Sequence, residues 1–99
     1  MTIAVCFART AERDILNESI WWRTNRPANP ELFDEDLARA VALLRTFPDA
    51  GERARTRRYK RARVIVLTET GHLLVYRRET KARVRVLALF GSKKTETRP

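Results

Sequence analysis

The sequence predicts one small α+β domain in which a helical hairpin covers one face of a mainly antiparallel sheet. The chain has 99 residues and a hydrophobic fraction of 43%, which is enough to bury one core. Two amphipathic segments lie in the first half and three short alternating segments lie in the second half. The predicted order is β-α-α-β-β-β over residues 1–91, and residues 92–99 are expected to form a mobile basic tail.

The first predicted strand spans residues 2–7, where apolar side chains alternate with small or polar ones. Thr10 is the predicted N-cap of the first helix, because acidic residues follow it in the first turn. This helix should end near Asn25, since the residue before Pro27 is disfavoured in the helical region.

The second predicted helix begins at Asn29-Pro30, with Asn29 as N-cap and Pro30 in the first helical position. It should end at Phe47-Pro48. Its apolar residues recur on one side, at Phe33, Leu37, Ala40, Val41 and Leu44. The two helices are therefore predicted to form an antiparallel hairpin with a loop of about four residues.

The remaining three strands are predicted over residues 62–68, 72–78 and 83–90, after a basic linker. Two short breaks, at Thr70-Gly71 and at residues 79–81, are expected to be hairpin turns. In the last strand, Val84, Val86, Ala88 and Phe90 are expected to share one face. The sheet face away from the helices is expected to stay uncovered and to carry arginines.

The formal net charge of +9 lies entirely in the second half of the chain. Residues 1–50 contain six Lys and Arg against eight Asp and Glu, and residues 51–99 contain fifteen against four. Such a basic half predicts a polyanionic partner, either nucleic acid or an acidic protein surface. The alternative is a cationic surface that only keeps the protein soluble.

Two adjacent tryptophans in the first helix cannot both face the core, because neighbouring helical residues point about 100° apart. Trp22 continues the apolar stripe and is predicted to be buried. Trp21 then lies at the rim, where it either packs under arginine side chains or contacts a partner.

The sequence offers little for metal, cofactor or nucleophilic chemistry. Cys6 and His72 are the single cysteine and the single histidine, so neither a metal cluster nor an internal disulfide is expected. No cofactor is predicted, and His72 is expected to cap the turn beside Gly71. A chain with one cysteine, no signal peptide and no apolar run long enough for a membrane span is expected in the cytoplasm.

Arginine-based cleavage of RNA is the chemistry that remains open. Permanently charged, bidentate guanidinium groups can stabilise a five-coordinate phosphate, and such a site also needs a proton carrier. The candidate residues for this role are Arg61, Arg63, Arg77, Arg85 and Tyr76. A solvated cationic sheet face is the alternative.

Several short motifs follow one another along nearly the whole chain. They are Ala11-Glu12-Arg13-Asp14-Ile15, Trp22, Asn25-Arg26-Pro27, Phe33, Leu37, Phe47-Pro48, Gly51, Thr70-Gly71-His72, Tyr76 and residues 86–91. Together they make the chain resemble the RelE/ParE superfamily of type II toxin–antitoxin toxins, and within it the ParE-like branch.

The resemblance implies a toxin that is neutralised by a cognate antitoxin, whose acidic C-terminal segment folds onto the toxin. The predicted antitoxin-binding residues are Trp21, Arg58, Arg61, Arg77, Arg83 and Arg85. The resemblance also implies one of two activities. ParE-like toxins inhibit DNA gyrase by binding, and RelE-like toxins cleave mRNA on the ribosome. RelE-like nucleases carry a Tyr or His after the last strand, and this chain has Lys93 and Lys94 there, which favours the ParE-like function with these lysines as target contacts.

Overall fold

The computed structural model describes residues 3–54 and 57–91, so the predicted tail at 92–99 lies outside the described residues. The elements are β1 (Ala4–Phe7), α1 (Arg9–Asn25), α2 (Leu32–Thr46), β2 (Glu52–Arg53), β3 (Arg63–Val66), β4 (Leu73–Thr80) and β5 (Arg83–Phe90). They form one sheet in the order β1-β5-β4-β3-β2. β1 is parallel to β5 and the other neighbours are antiparallel, so the predicted α+β fold class is confirmed.

The first helix begins earlier than the sequence predicts. Ala8, not Thr10, is the N-cap, and its side chain makes no capping hydrogen bond. The backbone N–H of Ala8 donates to the carbonyl of Val86 at 2.8 Å, and its carbonyl accepts from Glu12 N–H at 2.9 Å. The helix therefore starts directly where β1 leaves the sheet, because the main chain of β5 holds the N-cap residue.

The second helix begins later than predicted, with Glu31 as N-cap in place of Asn29. The carbonyl of Asn29 accepts the indole N–H of Trp22 at 2.8 Å and the backbone N–H of Leu32 at 3.2 Å. These bonds keep residues 26–31 in a turn that anchors the hairpin loop on α1. Pro30 consequently lies in the loop, outside the helix.

The main core fills the space between the helical hairpin and one face of the sheet. Its buried members are Ile3, Ala11, Trp22, Phe33, Ala40, Leu44, Leu67, Leu74, Tyr76, Val84 and Val86. Trp22 is 9% exposed, which confirms its predicted place in the core. Burial of this apolar surface stabilises the contact of the helices with β4 and β5.

A β-bulge in β5 overturns the prediction that four alternating residues of this strand share one face. Val75 pairs with Ala88, whereas the next residue, Tyr76, pairs with Val86, so Leu87 is the extra residue. Val86 packs in the main core, and Ala88 belongs to a second cluster on the other face. The extra residue shifts the side-chain alternation, and local periodicity does not reveal it.

The outer sheet face, which points away from the helices, is partly covered. This differs from the prediction that it stays uncovered. Its second cluster consists of Ala62, Val75 and Ala88, with Tyr59 and Val64 packed against it. The described part of the basic segment, residues 57–62, therefore folds over one end of this face.

His72, which the sequence predicts to cap the turn beside Gly71, is fully buried. Its Nε2 lies 2.6 Å from Glu18 Oε2, and its Nδ1 lies 2.7 Å from Thr70 Oγ1. The Thr70 hydroxyl donates its proton to Asp36 Oδ2 at 2.9 Å, so it accepts from a protonated Nδ1 of His72. This network joins both helices to the turn between β3 and β4.

The predicted turn at Thr70-Gly71 is present and depends on glycine. Gly71 has φ 81°, a left-handed conformation that other residues adopt at a cost. The backbone N–H groups of Glu69 and Thr70 both donate to Asp36 Oδ2, at 3.1 and 2.9 Å. The turn is thus held from α2.

Candidate partner-binding surface

Three arginines of β4 and β5, namely Arg77, Arg83 and Arg85, lie on the outer sheet face. Arg77 pairs directly with Arg85 across the two strands, and Arg83 lies two residues before Arg85 on the same side. Directly opposed like charges repel, and Glu79 relieves part of that repulsion. Its carboxylate accepts from Arg85 Nε at 2.6 Å and lies 3.8 Å from Arg83 Nε.

The hydrogen bond from Arg85 holds the pKa of Glu79 below its ordinary value, so this carboxylate stays ionised at neutral pH. It accompanies three arginines: Arg77, Arg83 and Arg85. The surface made by these three residues, which we call the arginine face, therefore keeps a positive charge.

Three exposed apolar side chains form a row beside the arginine face. Val66 pairs with Leu73, and Leu73 pairs with Phe90, so the three lie side by side across β3, β4 and β5. Their exposed fractions are 50%, 37% and 43%. The sequence analysis missed this apolar row as a surface feature, because the bulge at Leu87 decides the face on which Phe90 lies.

Residues 57–62, which fold over one end of the outer face, connect the arginine face with the apolar row. Arg77 Nη1 donates to the carbonyl of Lys60 at 3.1 Å, and the ring of Tyr59 lies 6.4 Å from that of Phe90. The guanidinium of Arg58 lies 5.3 Å from the centre of the Tyr59 ring. The predicted residue Arg58 thus lies at the border of the apolar row.

Trp21 lies on the other side of the sheet from these residues. It is half-buried on α1, where it packs against the main core, and the guanidinium of Arg26 lies 5.1 Å from its ring. Arg61 lies in the segment before β3. The six residues predicted to bind an antitoxin therefore do not form one surface: Arg77, Arg83 and Arg85 do, with Arg58 nearby.

The candidate nuclease residues are also divided between the two sheet faces. Tyr76 is fully buried on the helix side, and its hydroxyl accepts the backbone N–H of Gly51 at 2.8 Å. Burial raises the pKa of this phenol. Arg63 Nη1 donates to the carbonyl of Gly51 at 2.7 Å, so Tyr76 and Arg63 both hold the same glycine in place. Arg77 and Arg85 lie on the opposite face.

Two further observations on the described residues concern metal sites and membrane-spanning helices. Within residues 3–54 and 57–91, no three His, Cys, Asp or Glu side chains form a group that could hold a metal ion. Neither helix in this part of the chain is long and apolar enough to cross a membrane. The predicted target contacts, Lys93 and Lys94, lie outside the described residues.

Comparison with known proteins gives one family and several similar folds. A family model described as the ParE toxin of type II toxin–antitoxin system, parDE, matches residues 5–95. No curated protein matches significantly. A solved structure titled as the chromosomal ParDE TA system from P. aeruginosa aligns with a TM-score of 0.72 at 13% identity, covering 93% of this chain and 98% of that chain.

Two structures from E. coli are similar over much of their length. A mutant of the toxin RelE in the free state aligns with a TM-score of 0.57 at 20% identity, covering 97% of this chain and 90% of that chain. The intact RelBE toxin–antitoxin complex aligns with a TM-score of 0.57 at 19% identity, covering 92% of this chain and 98% of that chain. At these identities the similarity shows a shared fold.

Proposed function

Because the chain belongs to the ParE toxin family of type II toxin–antitoxin systems, we propose that it is a cytoplasmic toxin that inhibits DNA gyrase by binding and is neutralised by a cognate antitoxin. One observation favours binding over catalysis. The buried Tyr76 and the fold-holding Arg63 lie across the sheet from Arg77 and Arg85. General acid–base cleavage needs such groups within reach of one phosphate, and this separation does not provide that.

The outer sheet face suits the C-terminal segment of an antitoxin. The arginine face supplies positive charge, and the apolar row of Val66, Leu73 and Phe90 supplies exposed hydrophobic area next to it. A segment that carries both acidic and apolar side chains would match the two parts together. The P. aeruginosa ParDE structure is titled as a TA system and the E. coli RelBE structure as a toxin–antitoxin complex, which is consistent with such a partner.

Antitoxin binding can be tested by co-expression with the product of an adjacent small reading frame, followed by measurement of Kd. Phe90→Asp should weaken binding by about 30-fold or more, as expected for a central apolar contact worth about 2 kcal/mol. Arg77→Ala should weaken it by up to about fivefold, as expected for an exposed charge. Arg45→Ala removes one charge from the exposed side of α2 and serves as the matched control.

An antitoxin that binds the Phe90→Asp variant as tightly as the native toxin would exclude the outer face as its docking surface. Loss of binding in the Arg45→Ala variant would indicate a general charge effect. Each variant is first checked for an unchanged Tm.

The toxic activity can be tested with purified gyrase. Supercoiling should fall as the toxin is added, and a double variant, Lys93→Ala with Lys94→Ala, should lose this inhibition while it still binds the antitoxin. Unchanged supercoiling at a large excess of toxin contradicts gyrase inhibition. Cleavage of ribosome-bound mRNA in a translation extract, abolished by Arg61→Ala or Arg85→Ala, would instead support the RelE-like alternative.

A further inference from the structure

An open cleft with a volume of about 550 Å³ lies at the β2 edge of the sheet. The described residues that line it are Arg53, Ala54, Arg61, Ala62 and Arg63. Three of the five carry a guanidinium group and none is acidic. The volume falls within the range of about 300–1,000 Å³ that is typical of small-molecule sites. We call this feature the arginine cleft.

The arginine cleft brings like charges close together. Arg53 and Arg63 are direct partners across β2 and β3, and like charges in that position repel each other. Arg63 is partly compensated, because it donates to the carbonyl of Gly51 at 2.7 Å and lies 3.8 Å from Asp49 Oδ1. Within the described part of the chain, the side chains of Arg53 and Arg61 have no hydrogen bond or ion pair. Two of the three charges therefore remain available to an anion.

The backbone at Arg61 adopts a left-handed conformation that favours glycine. Arg61 has φ 58°, and among the described residues it is the one non-glycine residue with a positive φ. Glycine adopts this conformation without a steric cost, whereas arginine adopts it at a cost because of its Cβ. The backbone N–H of Ala54 donates to the carbonyl of Ala62 at 2.9 Å, which holds the chain after β2 beside the chain before β3. Backbone strain at a residue that lines a cleft is a frequent feature of ligand sites.

We propose that the arginine cleft binds a phosphate ester of nucleotide size. Guanidinium groups match phosphate oxygens through paired hydrogen bonds, and a phosphate with two negative charges uses more than one of them. None of the described residues that line the cleft carries a carboxylate, which makes a cation an unsuitable ligand. The cleft is larger than one carboxylate needs, which favours a phosphate with an attached nucleoside over the side chain of an acidic peptide.

This site is distinct from the proposed antitoxin surface. The arginine cleft lies at the β2 edge, while the arginine face lies on β4 and β5. The sequence analysis placed Arg61 with both the antitoxin-binding residues and the candidate nuclease residues, and its position in the cleft favours the phosphate site. Binding of a phosphate ester can therefore fail or succeed independently of antitoxin binding and gyrase inhibition.

The proposal can be tested by NMR titration of the purified protein with adenosine 5′-monophosphate, with adenosine as the control that lacks the phosphate. The monophosphate should shift the backbone amide signals of Ala54 and Ala62 saturably, and adenosine should not. Arg61→Gly removes the charge and also relieves the backbone strain. We expect this variant to bind at least about tenfold more weakly with no decrease in Tm.

Arg53→Ala should weaken binding to a similar degree, and Arg45→Ala, with the same loss of charge on α2, should leave Kd unchanged. A single-stranded hexauridylate then distinguishes two sources of the ligand. Tighter binding of hexauridylate than of the monophosphate, with the same dependence on Arg61, identifies a polynucleotide backbone. The reverse order identifies a free nucleotide, and both results support a phosphate-ester site.

Three results would overturn the proposal. The first is the absence of a saturable shift at Ala54 and Ala62 with both phosphate probes. The second is an equal loss of affinity in Arg45→Ala and Arg61→Gly, which would indicate general attraction to a basic protein. The third is displacement of the monophosphate by hexaglutamate at an equal or lower concentration, which would identify a site for an acidic peptide.

Discussion

Removal of one buried hydroxyl group, in the variant Tyr76→Phe, should measurably destabilise the fold. The hydroxyl accepts the backbone N–H of Gly51 at 2.8 Å, and both residues are buried. Without it, Gly51 N–H loses its acceptor at a place that water does not reach. A buried donor left without a partner costs about 1–3 kcal/mol, and each kcal/mol corresponds to about 4–8 °C in Tm for a domain of this size.

The free energy of unfolding can be measured by urea denaturation, with the fluorescence of the buried Trp22 as the signal. The slope of the free energy with urea should stay the same, because the variant buries nearly the same surface. Tyr59→Phe is the matched control, since the Tyr59 hydroxyl has no hydrogen bond within the described residues, and it should change stability by less than about 0.5 kcal/mol. A change equally small in Tyr76→Phe would refute the reasoning.

The pH dependence of the same pair of proteins provides a second measurement. Burial raises the pKa of Tyr76 in the folded protein above the value of 10.0 expected for an exposed tyrosine. Its contribution to stability is therefore complete below pH 10.0 and decreases as the pH rises through the folded pKa. The stability difference between the native protein and Tyr76→Phe should be constant at lower pH and should shrink in alkali. A constant difference at all pH values would contradict this argument.

Three further substitutions test the packing of the turns and of the buried network. Gly71→Ala should cost about 1–2 kcal/mol in urea denaturation, because φ 81° disfavours a side chain, and a neutral result would contradict the left-handed turn. Gly51→Ala should lower stability by about 1–3 kcal/mol, since its Cβ would lie 2.6 Å from the Val64 carbonyl oxygen. Glu18→Ala should cost about 1–3 kcal/mol, because it leaves the buried Nε2 of His72 without its hydrogen-bond partner. Glu18→Gln, whose amide oxygen can still accept a hydrogen bond, should cost less, and equal costs for the two variants would contradict a contribution from this hydrogen bond.

The helices and turns could be predicted because their signals are local. The apolar stripe of α2 and the turn at Gly71 can each be recognised from a few consecutive residues, and the structure contains both features. The helix starts were predicted wrongly for a tertiary reason. Ala8 is held by the main chain of β5, and the Asn29 carbonyl is held by the indole of Trp22.

The candidate sites could be predicted only in part. The charge distribution pointed to the arginines of the second half of the chain as binding residues. Strand alternation indicated which residues of a strand share a face with Arg77 or with Arg85. It did not show that Glu79 joins Arg83 and Arg85, nor that the β2 edge contains a cleft. The two-residue strand β2 has no apolar alternation to detect, so the environment of Arg53 was not predictable from the sequence.

The sequence by itself determined the α+β class, the two helices, the strand-rich basic half and the buried Trp22, because hydrophobic periodicity and turn residues act over a few positions. Only the tertiary structure decided that β1 is parallel to β5, that the bulge at Leu87 turns Phe90 to the outer face, and that His72 is buried beside Glu18. These features depend on contacts between residues far apart in the chain, and the pattern within a single segment does not encode the partner that another segment supplies.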